Sequence, residues 1–207
     1  MARHGLTRRH AVGFLAAALL LPSAARAADG AEAAALVRRL YDALLNVMHE
    51  AQALGFQGRY DRLAPVVAQV YDLAGMTRIA VGPQWTKLDA ATQERLVAAF
   101  TRMTLSTYAS RFDGFSGEKL EVLGTRPLAN GGIMVDSRIV KSDGEPVTLN
   151  YVTRNGGDGW RIVDVYLTGT ISELATRRAE FGSLIEQGGP EGLIQALERK
   201  SDQMAGS

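Results

Sequence analysis

Ile133-Met134-Val135-Asp136-Ser137-Arg138-Ile139-Val140-Lys141, the turn Ser142-Asp143-Gly144-Glu145, and then Pro146-Val147-Thr148-Leu149-Asn150-Tyr151-Val152-Thr153-Arg154 decide the fold class. Apolar residues return at every second position: Ile133, Val135 and Ile139, then Val147, Leu149 and Tyr151. A period of two places alternate side chains on opposite faces of a strand, and the intervening Asp-Gly favours a tight reversal. The stretch therefore predicts an antiparallel hairpin with one apolar face. Asp136, Arg138, Thr148, Asn150 and Arg154 fall on the opposite, solvent side, the pattern of one-sided burial. The same alternation extends outward. Lys119–Arg126 precedes the hairpin and Trp160–Thr168 follows it, across the links Ala129-Asn130-Gly131-Gly132 and Asn155-Gly156-Gly157-Asp158-Gly159. Four strands joined by short links predict a meander, with Val122 on its inner face.

Upstream the period is helical. Leu36, Val37, Leu40, Tyr41, Leu44, Leu45 and Met48 predict one helix over Glu32–Leu54, ended by Gly55 and Gly58. Leu63–Val81 is broken by Pro65, Gly75 and Gly82-Pro83, which predicts two or three short helices. Asp89 caps a longer one with Leu96, Val97, Phe100, Met103, Thr107 and Tyr108 inside, running out at Asp113-Gly114. Beyond the strands, Thr170 and Glu173 form a capping box, and Gly188-Gly189-Pro190 stops one helix and starts the last. Helices on one face of a curved, roughly four-stranded antiparallel sheet make an α+β fold.

The N-terminus has a different character. Arg3, Arg8 and Arg9 precede an apolar run, Ala11–Leu21; Pro22 follows as a helix breaker, then Ala25-Arg26-Ala27. This order predicts a secretory signal peptide over residues 1–27, with a single domain over 28–207 and a periplasmic destination. The run is shorter than the ~20 residues a bilayer span needs. Thr7-Arg8-Arg9 is a partial match to a twin-arginine signal. Cleavage after Ala27 removes four arginines, leaving 19 basic against 22 acidic residues, a net charge of −3. A mildly acidic chain with no basic cluster is a poor partner for nucleic acid.

Chemistry has little to work with. There is no cysteine, and His49 is the one histidine left after cleavage, so thiolate sites and most metal or triad arrangements are excluded. No nucleophile elbow, HExxH, P-loop or dinucleotide fingerprint occurs. No cofactor, metal or catalytic residue is predicted. Asp72 and Asp164, inside apolar runs, read either as a pocket base or as structural caps or pairs, for instance with Arg78. Met76, Met103, Trp85, Phe100, Tyr108 and Phe112 either pack a solid core or line a cavity; periodicity alone does not separate the two.

A family resemblance adds to this reading. Tyr71-Asp72-Leu73-Ala74-Gly75-Met76-Thr77-Arg78 with Gly82 and Trp85 is similar to the FDxxxMxRxxLGxxW region of the toluene-tolerance/MlaC family of periplasmic phospholipid-binding proteins. Gln93, Phe100, Thr107-Tyr108-Ala109, Gly117-Glu118, Gly144-Glu145-Pro146-Val147, Gly159-Trp160, Asp164-Val165, Gly188-Gly189 and Gly192-Leu193 follow in the family's order. The family's GVSLVxNYRxxF segment reads differently here, from Gly169 to Phe181, and that variant resembles the hopanoid-associated HpnM branch. The resemblance implies a monomeric lipid carrier docking transiently on inner- and outer-membrane complexes, with phospholipid or hopanoid as cargo. It also implies a gap between sheet and helices. The lipid-binding residues would be Leu73, Met76, Ile79, Trp85, Phe100, Met103 and Tyr108 on the helical side, with Val122, Ile133, Val135, Ile139, Val147, Leu149, Tyr151 and Val165 on the sheet. Two other readings fit the same layout: an NTF2-like enzyme using His49, Asp72 or Asp164 as base, and a docking subunit that holds no lipid.

Overall fold

The alternation that begins at Lys119 is realised as an antiparallel meander. In the computed structural model, which describes residues 21–206, β1 (Lys119–Pro127), β2 (Ile133–Val140), β3 (Pro146–Asn155) and β4 (Trp160–Leu167) lie side by side in chain order. A two-residue fifth strand, β5 (Ile171–Ser172), extends the expected four by pairing with Tyr166 and Leu167. Register puts Val122 beside Ser137, Ser137 beside Leu149, and Leu149 beside Leu167, so these side chains share one face. Irregularities at Val122/Gly124 and Val152/Thr153 shift the register in β1 and β4. Such bulges bend a strand and sharpen its twist, and here they help curve the sheet around its inner face.

The helices cover that face. α1 (Leu21–His49) lies on β1 and β2, burying Val37, Leu40, Tyr41, Leu44 and Val47. Each such side chain withdrawn from water is worth about 1.5–3 kcal/mol. α1 runs through Ala25-Arg26-Ala27, with Pro22 in its first described turn, a position where a helix tolerates proline. Arg3, Arg8, Arg9 and the apolar run up to Leu20 lie outside the described residues. The first helix stops at His49, short of Leu54, and α2 (Ala51–Val70) begins at once. Gly55 interrupts α2 with φ 59°, ψ −175°, a region open to glycine, whereas Gly58 and Pro65 are both accommodated within it.

α2 ends in Tyr71, and this junction is tied to the sheet. Asp72 donates its N–H to the Ile162 carbonyl at 3.0 Å, and Tyr71 bridges Ile162 in parallel. α3 (Leu73–Val81) and a short 3-10 turn (Gly82–Lys87) lead to α4 (Ala90–Arg111), capped by Asp89, whose carboxylate accepts the Thr92 N–H at 2.8 Å. α5 (Glu173–Ala205) packs on α4 and α3. Its cap is Ser172, accepting from Ala175 N–H at 2.9 Å, rather than Thr170; Thr170 lies in the preceding turn, where its N–H donates to the Leu167 carbonyl. Gly189 breaks α5 with φ 65°, ψ −172°, and Pro190 restarts it.

Candidate functional site: a cavity between sheet and helices

The inner face of the sheet is not uniformly filled. Along β2, Ile133, Val135 and Ser137 are buried, but Ile139 is only partly so. Along β3, Thr153 and Tyr151 are buried while Leu149 and Val147 are half-open. One end of the sheet is thus packed solid against α1. At the other end the helices stand off and leave a cavity of about 650 Å³, within the roughly 300–1,000 Å³ usual for small-ligand sites.

Nine of the fifteen residues expected on the cavity walls meet there: Met76, Phe100, Met103 and Tyr108 from the helices, and Ile139, Val147, Leu149, Tyr151 and Val165 from the sheet. The other six lie elsewhere. Ile133 and Val135 are in the solid part of the core, and Val122 and Trp85 pack partly buried against it. Leu73, buried in the core, and the exposed Ile79 line a different hollow. On a sheet, face alone does not say how far along the strand the covering layer touches down.

Sequence reasoning missed Tyr71, Met48, Leu167 and Leu174 in the lining. Tyr71 falls just past the end of α2, where helical spacing no longer reports on direction; there its backbone bridges Ile162 of β4. Thr104 and Thr107 also reach the cavity, their hydroxyls returned to the Phe100 and Met103 carbonyls at 2.9 and 2.8 Å. That satisfies the polar atoms within the helix.

The mouth is charged. Arg111, Asp113, Ser116 and Glu118 come from the end of α4 and the loop after it, Lys141 from the β2–β3 turn, and Glu173 and Arg177 from the start of α5. Arg177 donates to Glu180 at 2.8 Å and to Glu173 at 3.4 Å. Inside, Tyr71, Tyr108 and Tyr151 form the polar part of the wall, with Tyr41 outside the lining beside Tyr151. Tyr71 and Tyr108 are hydrogen-bonded hydroxyl to hydroxyl. Tyr41 bonds Ser137, whose hydroxyl donates to the Leu149 carbonyl, and the Tyr151 ring stands edge-on to Tyr41 at 5.9 Å. Burial pushes the Tyr108 phenol up to about 12, and drives Tyr71 and Tyr151 well above the usual value.

The residues weighed as bases lie elsewhere. Asp72 caps α3, accepting the Gly75 N–H at 2.8 Å, with no ion pair to Arg78. Asp164 accepts from the Ser172 hydroxyl at 2.6 Å and the Leu174 N–H at 3.0 Å, tying β4 to the start of α5. His49, at the end of α1, lies against Phe115 with ring centroids 3.9 Å apart and planes tilted by 42°. A second, larger hollow of about 1020 Å³ opens on the outward side of the sheet, over the buried pair Met134 and Val152. Arg78, Arg154, Arg161, Asp158 and both aspartates line it. So many charged groups make it a poor enclosure for hydrocarbon.

The protein-family description "MlaC protein" matches residues 38–199 of the chain. The chain belongs to the MlaC family. No curated protein sequence matches this MlaC-family chain. Among solved structures it is similar to the phospholipid-binding protein from Ralstonia solanacearum in complex with a phospholipid. The TM-score is 0.74 at 24% identity, covering 84% of this chain and 99% of that one. The two share the α+β fold.

Proposed function

We propose that this MlaC-family protein is a periplasmic lipid carrier, exported by a cleaved signal peptide, that hides acyl chains in the cavity between sheet and helices and passes them between membrane-bound complexes. The observation that carries this reading is the cavity itself, apolar within and ringed by charge at its mouth. Each CH₂ group held in water costs about 0.8 kcal/mol, so an acyl chain needs such an enclosure to cross an aqueous space. The charged rim matches a headgroup left at the surface. The Ralstonia protein of the same fold, solved with a phospholipid, supports phospholipid as the cargo.

A hopanoid is the second cargo considered, and one observation favours keeping it. The segment from Gly169 to Phe181, which departs from the usual family reading, supplies Glu173, Leu174 and Arg177 to the cavity. The difference therefore falls where cargo would touch. The enzymatic reading draws no support from the cavity, whose lining includes none of His49, Asp72 and Asp164.

Native mass spectrometry of gently purified protein, followed by organic extraction, tests the proposal. A co-purifying phospholipid or hopanoid at about one per chain is the expected result. Protein that emerges lipid-free and takes up none from vesicles would refute it. N-terminal sequencing of periplasmic material should find Ala28; intact Met1 in a membrane fraction would refute the export step.

A further inference from the structure

One pair of hydroxyls in the cavity wall leaves a donor over. Tyr71 and Tyr108 both line the cavity, their ring centroids 6.2 Å apart and their hydroxyls bonded to each other. Two O–H groups enter that pair and only one is consumed by it. Among the described residues neither hydroxyl makes another hydrogen bond. Of the neighbouring hydroxyl protons, those of Thr104 and Thr107 go to helix carbonyls, Ser137 to Leu149 and Tyr41 to Ser137, while Tyr151 has Tyr41 as its neighbour. Because burial raises both phenols, the pair stays protonated throughout the neutral range. It presents a neutral donor, not a charge.

Its position gives that donor a meaning. Tyr108 lies one turn before Arg111 on α4, and Arg111 stands at the mouth. Further back along the same helix the lining residues are Met103 and Phe100. Along α4, from the rim inward, the order is cation, neutral donor, hydrocarbon. An acylated glycerophospholipid presents the matching order of anion, ester carbonyl and chain. The carbonyl is the one strong acceptor that enters with the hydrocarbon, and it loses its water on entry, so an unpaired donor at that depth is its complement.

We propose that the free hydroxyl of the Tyr71–Tyr108 pair donates to an ester carbonyl of the bound lipid, fixing the depth of its chains and selecting ester-linked over ether-linked lipids. This rests on the carrier reading and adds a discrimination to it. An ether oxygen in the same place is a far weaker acceptor and leaves the donor unsatisfied.

The test compares diacyl and dialkyl-ether phosphatidylethanolamine of equal chain length, titrated onto delipidated protein. Wild type should prefer the diacyl lipid by about fivefold, the equivalent of one neutral hydrogen bond. A single Tyr→Phe change frees the remaining hydroxyl to donate, so the decisive protein is the double variant Tyr71→Phe/Tyr108→Phe. Removing both partners together leaves no orphan and is close to neutral for folding. The double variant should bind both lipids with the ratio reduced to about one. The control Tyr41→Phe, whose hydroxyl is outside the cavity lining, should keep the wild-type ratio. Equal binding of ester and ether lipids by wild type overturns the proposal, whatever the variants do. An unchanged preference in the double variant also overturns it. Binding of neither lipid overturns the carrier reading beneath it.

Discussion

Val135 and Leu149 sit on neighbouring strands, on the same face of the same sheet, and periodicity cannot tell them apart. The structure separates them completely: Val135 is 0% exposed in the solid core, whereas Leu149 opens into the cavity. A tryptophan therefore has opposite consequences at the two sites. At Val135 it has no room, and overpacking should lower stability by about 1–3 kcal/mol. At Leu149 or Val147 it fills space that belongs to cargo, so the protein should melt near the wild-type temperature but yield no lipid on extraction. Melting curves and lipid content measured on the same three preparations check this. A destabilised, lipid-replete Leu149→Trp protein would show that the cavity closes up in solution.

At the scale of elements, backbone geometry sets the sharpest expectation. Gly189 and Gly182 both lie in α5 with open space around a prospective Cβ, so neither is reserved for packing. Their backbones differ. Gly189 holds φ 65°, ψ −172°, while Gly182 is within the helix, away from that break. Gly189→Ala should cost about 1–3 kcal/mol by forcing a side chain into a glycine-only region. Gly182→Ala should raise stability by about 0.5–1 kcal/mol through helix propensity. Urea denaturation of the two variants checks both signs; the same sign for both would refute the break at Gly189.

This contrast also marks what the sequence makes legible. The four long strands were readable to within a residue or two at either end, because alternation from Ile133 to Arg154 and glycine-rich links are local signals. Asp89 as a cap and Gly188-Gly189-Pro190 as an interruption were readable for the same reason. The joints were not. Ser172 caps α5 in place of Thr170, and Asp164 reaches over to hold that start in place. The guanidinium of Arg59, 9% exposed, donates to the Ala109 and Ala51 carbonyls at 2.8 and 2.9 Å and so links α2 to the last turn of α4. Nothing near Arg59 in sequence announces a partner 50 residues away. Of the cavity, the apolar walls were legible as faces; its depth was not, because depth is decided by where α1 touches down on the sheet.

Across the whole molecule, the buried tyrosines couple folding to alkaline pH. Burial raises the phenols of Tyr41, Tyr71, Tyr108 and Tyr151 above the usual 10.0. Above that value an unfolded chain sheds protons that the folded one retains. Their contribution to stability is therefore whole below pH 10 and falls as the pH rises through about 12, the value for Tyr108. The expected result is that phenolate absorbance from these four residues appears together with loss of helical circular dichroism. Phenolate appearing well before unfolding would mean that water already reaches the cluster. The division of the sheet's inner face has one more consequence. Because α1 secures the Ile133–Ser137 end, Ile139, Val147, Leu149 and Val165, none of them fully buried, carry a lesser part in holding the molecule together. Their bulk is free to vary like the filling of a mould whose walls are cast elsewhere. A set of variants at these four positions would make a series of vessels graded by capacity, alike in fold and different in what they hold.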